Sequence, residues 1–200
     1  MRELLIATGN KGKFPEITAI LGDIPFTFKN LNDLGYPEGF EVEEPGSTFE
    51  SNAIIKAMTW GKRSGKLTIA EDSGFVVDAL DGRPGVYSAR YIAGTDQDRF
   101  NKILEEMKDV PDGKRTARFV AVVAIYDPEH GDKVRLCEGS VAGTVTREPI
   151  GTNGFGYDPI FRYDETGKTG GEMTKEEKNT VSHRGRAMRK AREILLAEFV

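Results

Sequence analysis

Two adjacent carboxylates, Glu71 and Asp72, are the first residues of this sequence that point to chemistry. They lie in residues 70–74, which end in Ser-Gly and which we predict to form a tight turn. The apolar run Leu67-Thr68-Ile69 before them indicates a buried strand, and the apolar Phe75-Val76-Val77 follows. Adjacent carboxylates repel each other and are costly to desolvate, so a cation should lie beside them, first of all a divalent metal ion. A solvated surface turn is the alternative, and this stretch alone leaves both open.

A loop that contains glycine and lysine follows the first apolar stretch, residues 4–7. It runs Thr8-Gly9-Asn10-Lys11-Gly12-Lys13 and leads into residues 14–21, whose apolar side chains have helical spacing. A strand, loop and helix in this order direct backbone N–H groups and the positive end of the helix dipole at an anion. The loop is therefore a candidate phosphate site. It is not of the Walker type, because it is too short and Phe14 stands where that loop has Ser or Thr.

A second lysine, Lys56, lies within a predicted helix that follows an acidic loop. We expect the helix to begin at the cap residue Ser47, with Glu50 completing a capping box. The loop before it carries Glu43 and Glu44. Taken alone, a lysine on a helix is most often a solvated surface residue.

Residues 155–184 add aromatic rings, glycines and cations to these segments. Together the four segments supply cations for phosphate, carboxylates for a metal ion, and rings and donors for a base. Those are the groups that hydrolysis of a nucleoside triphosphate requires.

Helices and strands alternate along the chain, and this order predicts how the segments are held. Predicted helices cover residues 14–21, 47–63, 96–107, 174–178 and 183–199. Predicted strands cover residues 4–7, 26–31, 67–69, 118–126, 133–145 and 160–161. The strands 118–126 and 133–145 are joined by a turn, so we expect them to be antiparallel, whereas the earlier strands are of parallel type. The class is therefore α/β, with a mixed, elongated sheet flanked by helices.

The bulk composition is that of a globular protein with an ordinary core. The chain has 200 residues, 38% hydrophobic and 30% charged, and a net charge of -4, which disfavours nonspecific binding to nucleic acid. Its single cysteine, Cys137, has apolar neighbours and fits a reducing compartment as a small buried hydrophobe. No apolar run approaches membrane-spanning length, and the N-terminus is too soon interrupted for a signal peptide. We expect a cytoplasmic protein that binds neither nucleic acid nor membrane.

Five separated motifs match, in order and spacing, those of one enzyme family. They are Thr8-Gly9-Asn10-Lys11-Gly12-Lys13, Thr48-Phe49-Glu50-Ser51-Asn52-Ala53, Glu71-Asp72-Ser73-Gly74, Gly154-Phe155-Gly156-Tyr157-Asp158-Pro159-Ile160-Phe161, and Lys178-Asn179 with Ser182-His183-Arg184. In these motifs the chain resembles the inosine-triphosphate pyrophosphatase family, and most of all its bacterial dITP/XTP pyrophosphatase branch. The resemblance covers essentially the whole chain.

The resemblance implies both an activity and an architecture. The activity is Mg²⁺-dependent hydrolysis of non-standard purine nucleoside triphosphates (dITP/ITP, XTP/dXTP) to the nucleoside monophosphate and pyrophosphate, which removes deaminated purines from the nucleotide pool. The architecture is a single domain, residues 1–200, made of two lobes with the active-site cleft between them. The family also implies a homodimer.

Site residues follow from the resemblance position by position. Asp72 is the implied general base and a metal ligand, with Glu44 as the first choice and Glu43 as the second for the remaining acid of the magnesium site. Lys56 becomes a cation for the phosphates, and Phe155 stacks on the purine. The other implied substrate-binding residues are Thr8, Gly9, Asn10, Lys11, Gly12, Lys13, Ser73, Gly156, Tyr157, Asp158, Lys178, His183 and Arg184.

Two positions depart from the family pattern. Glu71 replaces the aspartate that is usual in the bacterial branch, and Ser51 stands where a glutamate is common. Two other functions remain as alternatives: a pyrophosphatase for modified pyrimidine nucleotides, and a nucleotide-binding regulator without catalysis. The motif at residues 155–158 argues against the first, and the presence of both Glu44 and Asp72 argues against the second.

Overall fold

The computed structural model describes residues 1–10, 12–37, 40 and 42–200. Within these residues, six strands form one sheet in the order β2-β1-β3-β4-β5-β6. Strand β1 pairs in parallel with β2 and with β3, whereas β5 and β6 are antiparallel. The predicted α/β class with a mixed sheet is confirmed. The strands are β1 (Arg2–Ile6), β2 (Phe26–Lys29), β3 (Leu67–Val77), β4 (Thr116–Tyr126), β5 (Val134–Val145) and β6 (Phe161–Tyr163).

Five α-helices occur in the described part of the chain: α1 (Lys13–Leu21), α2 (Phe49–Ser64), α3 (Asp96–Glu106), α4 (Lys175–Val181) and α5 (His183–Glu198). The cap predicted for α2 was wrong by one residue. Thr48, not Ser47, accepts the N–H of Ser51, and the Ser51 hydroxyl accepts the N–H of Thr48 in return. Ser47 and Thr48 are both good capping residues, so their order in the sequence could not decide which one caps the helix.

The predicted turn at residues 70–74 was also wrong, because β3 runs without interruption from Leu67 to Val77. Successive side chains of a strand point to opposite faces of the sheet. Ile69 accordingly packs with α1 and α5, whereas Ala70 packs with α2. The adjacent acids Glu71 and Asp72 continue this alternation, so they face different helices and need no turn to separate their charges.

The described residues form two compact units. The first comprises Met1–Asp72, Ala121–Gly139 and Arg184–Val200, and the second comprises Ser73–Val120 and Ser140–His183. The division falls within β3, between Asp72 and Ser73.

The first unit packs apolar side chains on both faces of its strands. Leu4 and Ile6 of β1 belong to the cluster formed with α1 and α5, whereas Leu5 packs with Trp60 of α2. Cys137 lies in the first of these clusters and is 3% exposed, so the prediction of a buried cysteine is confirmed. Burial raises the pKa of its thiol to about 11, which leaves little reactive thiolate at neutral pH.

The second unit has one aromatic-rich core. Phe75 of β3 contacts Phe119, Tyr157 and Phe161 with ring centroids 4.9–5.6 Å apart. Phe161 is completely buried. Among the described residues, no helix is both long and apolar enough to cross a lipid bilayer.

Candidate active site

Asp72 lies on the face of β3 that packs against α2, where two side chains of that helix reach it. Lys56 Nζ lies 3.0 Å from Asp72 Oδ1, and Asn52 Nδ2 donates to Asp72 Oδ2 at 3.2 Å. Asn52 and Lys56 have i, i+4 spacing, which places both on one side of α2. Lys56 Nζ also lies 2.8 Å from Glu44 Oε1. One ammonium group therefore bridges two carboxylates.

The charges of this bridge shift the pKa values of its members. Burial raises the pKa of Asp72 above its usual range, although Lys56 opposes that change. Burial alone would lower the pKa of Lys56, but the carboxylates of Asp72 and Glu44 outweigh it and raise the pKa. Lys56 therefore stays cationic at neutral pH, beside a carboxylate with more affinity for a proton than an ordinary aspartate.

Asn52 also anchors the loop before α2. Its Oδ1 accepts the N–H of Gly46 at 2.8 Å. A Cβ atom at Gly46 would lie 2.1 Å from Ser51 Oγ and 2.4 Å from Asn52 Oδ1, so only glycine fits there without displacing these groups. The same loop carries both candidate metal ligands. Glu44 contacts Lys56, whereas Glu43 is exposed, so the geometry favours Glu44.

Glu71 lies on the opposite face of β3, among cations from α1 and α5. Arg184 donates to it through two atoms, Nε to Oε2 at 2.6 Å and Nη2 to Oε1 at 2.9 Å. The third nitrogen of Arg184, Nη1, donates to Glu16 Oε2 at 2.8 Å. Lys13 Nζ lies 3.4 Å from Glu71 Oε1. Burial lowers the pKa of Lys13, and Glu71 opposes that change.

Arg184 has a structural role in addition to the substrate binding expected of it. The side chain is 2% exposed, and a paired fork of this kind is among the strongest hydrogen-bonded ion pairs. Binding of the substrate by Arg184 stays a prediction. In this structure its guanidinium joins β3 to α1 through Glu71 and Glu16.

The glycine-containing loop is folded by its own polar groups. Thr8 Oγ1 accepts the N–H of Asn10 at 3.2 Å, and Asn10 Oδ1 accepts the N–H of Gly12 at 2.8 Å. The Asn10 carbonyl accepts the N–H of Lys13, the first residue of α1. Gly9 lies within this loop, and Lys11, another predicted substrate residue, falls outside the described residues.

The predicted base-binding residues lie in the second unit. Phe155 is 41% exposed, and Lys178 Nζ lies 4.6 Å from its ring centroid. Asp158 Oδ2 accepts both the Phe155 N–H at 2.9 Å and a hydrogen bond from Lys178 Nζ at 2.5 Å. The Asp158 side chain is 2% exposed, so it holds the backbone of Phe155 and the lysine from the buried side. An exposed aromatic face next to a cation suits a stacked, electron-rich base.

Asp158 occupies a space that glycines leave open. A Cβ atom would lie 2.2 Å from Asp158 Oδ2 if placed at Gly154 and 2.6 Å from Asp158 Oδ1 if placed at Gly170.

Tyr157 and His183 are mostly enclosed by the core of the same unit. The Tyr157 ring stacks on Phe75, and its hydroxyl donates to the Ser88 carbonyl at 2.8 Å. Burial raises the pKa of this hydroxyl, which therefore stays protonated. His183 stacks on Phe119 with centroids 4.7 Å apart. Ser73 lies on β3 and is half-buried.

With this geometry established, the chain can be compared with known proteins. The sequence model of the Ham1 family matches residues 4–194. The chain belongs to the Ham1 family. The dITP/XTP pyrophosphatase of Shigella flexneri is 47% identical over 94% of this chain and 95% of its own length. That of Geobacter sulfurreducens is 48% identical over 94% of each chain.

A solved Ham1 structure has the same fold. The HAM1 protein from Coxiella burnetii is 38% identical and matches with a TM-score of 0.88, covering 98% of both chains. The resemblance inferred from the five sequence motifs is confirmed by these relatives.

Two carboxylates, Glu44 and Asp72, are the candidate ligands for magnesium. Among the described residues, no group of three or more His, Cys, Asp or Glu side chains could hold a metal ion. Glu44 and Asp72 nonetheless converge on one cation, Lys56 Nζ. Mg²⁺ is commonly held by one or two carboxylates, with water and phosphate oxygens as its other ligands. Two convergent carboxylates fit that requirement in this Ham1 family chain.

Two site residues of this Ham1 chain were missed by the sequence interpretation. Asn52 was quoted within a motif but received no role, although its i, i+4 spacing from Lys56 was a usable signal. Glu16 pairs with Arg184 across 168 residues of sequence. An acid in the first turn of α1 has an ordinary explanation in the helix dipole, so it gave no signal of this partner.

Proposed function

We propose that this chain hydrolyses non-standard purine nucleoside triphosphates, dITP/ITP and XTP/dXTP, to the nucleoside monophosphate and pyrophosphate. The activity removes deaminated purines from the nucleotide pool. The observation that carries the proposal is the bridge of Lys56 between Glu44 and Asp72. The dITP/XTP pyrophosphatases that match almost the whole chain support it.

Asp72 is the proposed general base. Its carboxylate is held on one side by Lys56 and on the other by Asn52, which fixes its orientation. Its raised pKa increases its affinity for a proton, so it can orient a water molecule and take a proton from it as that water attacks phosphorus.

The cations Lys13 and Lys56 are the proposed phosphate ligands of the protein. A triphosphate carries several negative charges, and each lysine already lies beside a carboxylate that keeps it in place. When the phosphates bind, each ammonium group can donate some of its hydrogen bonds to the phosphate oxygens. Charge stabilisation of this kind is worth most where water is excluded.

Magnesium is the proposed cofactor, with Asp72 and Glu44 as its protein ligands. When bound, Mg²⁺ supplies positive charge that polarises the phosphate oxygens. The proposal is supported by the convergence of the two carboxylates on one cation, Lys56 Nζ.

Base selection is proposed to use Phe155 and the donors around it. The ring offers a stacking surface, and Lys178 Nζ beside it offers a donor for the 6-keto oxygen of hypoxanthine or xanthine. An adenine presents an amino group there, so donor would face donor. Leaving such polar groups unpaired costs several kcal/mol, about a thousandfold or more in specificity.

We further propose that residues 1–200 act as one catalytic domain with an active-site cleft between two lobes. A cytoplasmic homodimer is proposed on the family resemblance, and the reduced, buried Cys137 is consistent with that compartment.

The proposal is tested by pyrophosphate release from dITP, XTP, dATP, dGTP and dTTP in the presence of Mg²⁺. We expect dITP and XTP to be preferred by at least about tenfold in kcat/KM, which corresponds to about 1.4 kcal/mol. Preference for dTTP or a modified pyrimidine would favour the pyrimidine pyrophosphatase instead. Binding of all five nucleotides without turnover would favour the non-catalytic regulator.

A further inference from the structure

Asp96, the first residue of α3, contacts the loop that carries Phe155. Its Oδ2 accepts the backbone N–H of Gly156 at 2.8 Å, across 60 residues of sequence. The other carboxylate oxygen, Oδ1, accepts a hydrogen bond from Arg99 Nη1 at 2.9 Å. None of the five family motifs includes Asp96.

The amide before Gly156 is held in the same way from another element. The N–H of Phe155 donates to Asp158 Oδ2 at 2.9 Å. Two consecutive backbone amides are thus each bound by a carboxylate, one from α3 and one from the turn that follows the loop. Hydrogen bonds to an ionised acceptor are about twice as strong as neutral ones.

This double attachment fixes the backbone on both sides of the Phe155 Cα atom. The ring itself is 41% exposed, so side-chain packing contributes less to its position than it would in a core. A stacking surface works only if its ring is held close to the productive orientation. The two carboxylates supply that restraint through the main chain.

Arg99 holds Asp96 in the conformation that reaches the loop. Its Nη2 donates to the Gly94 carbonyl at 2.8 Å while Nη1 binds Asp96. Asp96 also lies in the first turn of α3, where a negative charge is favoured by the helix dipole. Its side chain is therefore directed at the loop without being buried.

We propose that Asp96 is a positioning residue for purine recognition, which acts by holding the Gly156 amide and so the exposed ring of Phe155. The inference rests on the proposed function, because it assigns the ring to the purine. Asp96 binds Gly156 and Arg99, neither of which is proposed to act on the phosphates, so its loss affects binding of the base more than the chemical step.

The test compares Asp96→Ala with Asp98→Ala, which removes a second carboxylate from the same helical turn. Asp98 caps α3 by accepting hydrogen bonds from Thr95, so Asp98→Ala measures the effect of weakening the helix alone. For Asp96→Ala we expect KM for dITP to rise about tenfold while kcat changes less than about twofold. Hydrogen exchange of the peptide covering residues 152–158 should also become faster. Asp98→Ala should change neither quantity, and Asp96→Asn, which keeps an acceptor oxygen, should raise KM less than Asp96→Ala does.

Other outcomes contradict either this inference or the proposed function. An unchanged KM in Asp96→Ala overturns the inference whether or not exchange accelerates, and so does an equal rise of KM in Asp98→Ala. A fall of kcat at constant KM also overturns it. If the wild-type protein does not hydrolyse dITP, the proposed function fails and this inference fails with it, whereas an active wild type with an unaffected Asp96→Ala variant overturns the inference alone.

Discussion

Glu71 and Asp72 are neighbours in sequence but belong to opposite faces of β3. Glu71 is bound by Arg184 and Lys13, whereas Asp72 is bound by Asn52 and Lys56. Each acid has its own cation, so the repulsion expected between adjacent carboxylates is relieved on both faces separately. The arrangement fits the role in chemistry that we propose for Asp72, whereas Glu71 holds cations in place.

Asp72→Asn should reduce turnover by roughly a hundredfold or more, because the amide cannot accept a proton from the attacking water. The side chain keeps its size and one oxygen for Lys56, so the fold and nucleotide binding should persist. Pyrophosphate release, titration calorimetry with dITP and thermal unfolding measure the three quantities. Loss of the folded state would show instead that Asp72 has a structural role.

Glu71→Gln should lower the free energy of unfolding by about 3 kcal/mol, because the buried Arg184 loses the carboxylate that it binds through two atoms, although its bond to Glu16 remains. Urea denaturation measures this change. The control is Glu3→Gln, whose partly exposed carboxylate pairs with Lys66 and Lys29. A solvent-screened pair of that kind contributes little to stability. Equal effects of the two substitutions would contradict a special role for Glu71.

Gly46→Ala should impair activity by displacing Asn52, since the new Cβ atom would lie 2.4 Å from Asn52 Oδ1. We expect kcat/KM to fall at least about tenfold and stability to fall by about 1–3 kcal/mol from the added methyl group. Gly113→Ala is a matched control, because a Cβ atom there meets nothing within 4 Å. Steady-state kinetics and urea denaturation of both variants measure these two effects. A fully active Gly46→Ala variant would show that Asn52 is not needed to position Asp72.

Asp127 should make stability depend on pH in the acid range. Burial alone would raise its pKa, but hydrogen bonds from Arg2 and His130 outweigh burial and hold the pKa below its usual value. A carboxylate with a lowered pKa stabilises the fold above its unfolded pKa of about 3.9, and that stability is lost as the pH falls through the folded value.

The measurement is the difference in unfolding free energy between the wild type and Asp127→Asn as a function of pH. It should be largest at pH 6 and should shrink below about pH 4. A difference that stays constant over this range would mean that the ionised form of Asp127 contributes nothing. His130, to which the sequence interpretation gave no role, takes part in this pairing.

Local patterns in the sequence predicted most of the elements but not their partners. Apolar spacing located the helices and strands to within a few residues, except for the C-terminal end of β3, and the motif order identified the family. The turn at residues 70–74 was wrong because it was predicted from the Ser-Gly after the two acids, whereas both residues belong to the continuous strand β3. Their cations come from distant segments: Arg184 lies 113 residues from Glu71 in the sequence. No local pattern reports such a pairing, and the same is true of Asp96 and Gly156.

The confinement of Asp158 between Gly154 and Gly170 has a consequence for attempts to change the substrate range by protein engineering. A library that varies either glycine would drive a side chain into the carboxylate that holds both Lys178 and the Phe155 amide. Variation at position 155 alone would exchange the stacking ring and leave its support intact. We therefore expect substitutions at position 155 to change which bases are accepted with the least disturbance to the rest of the site.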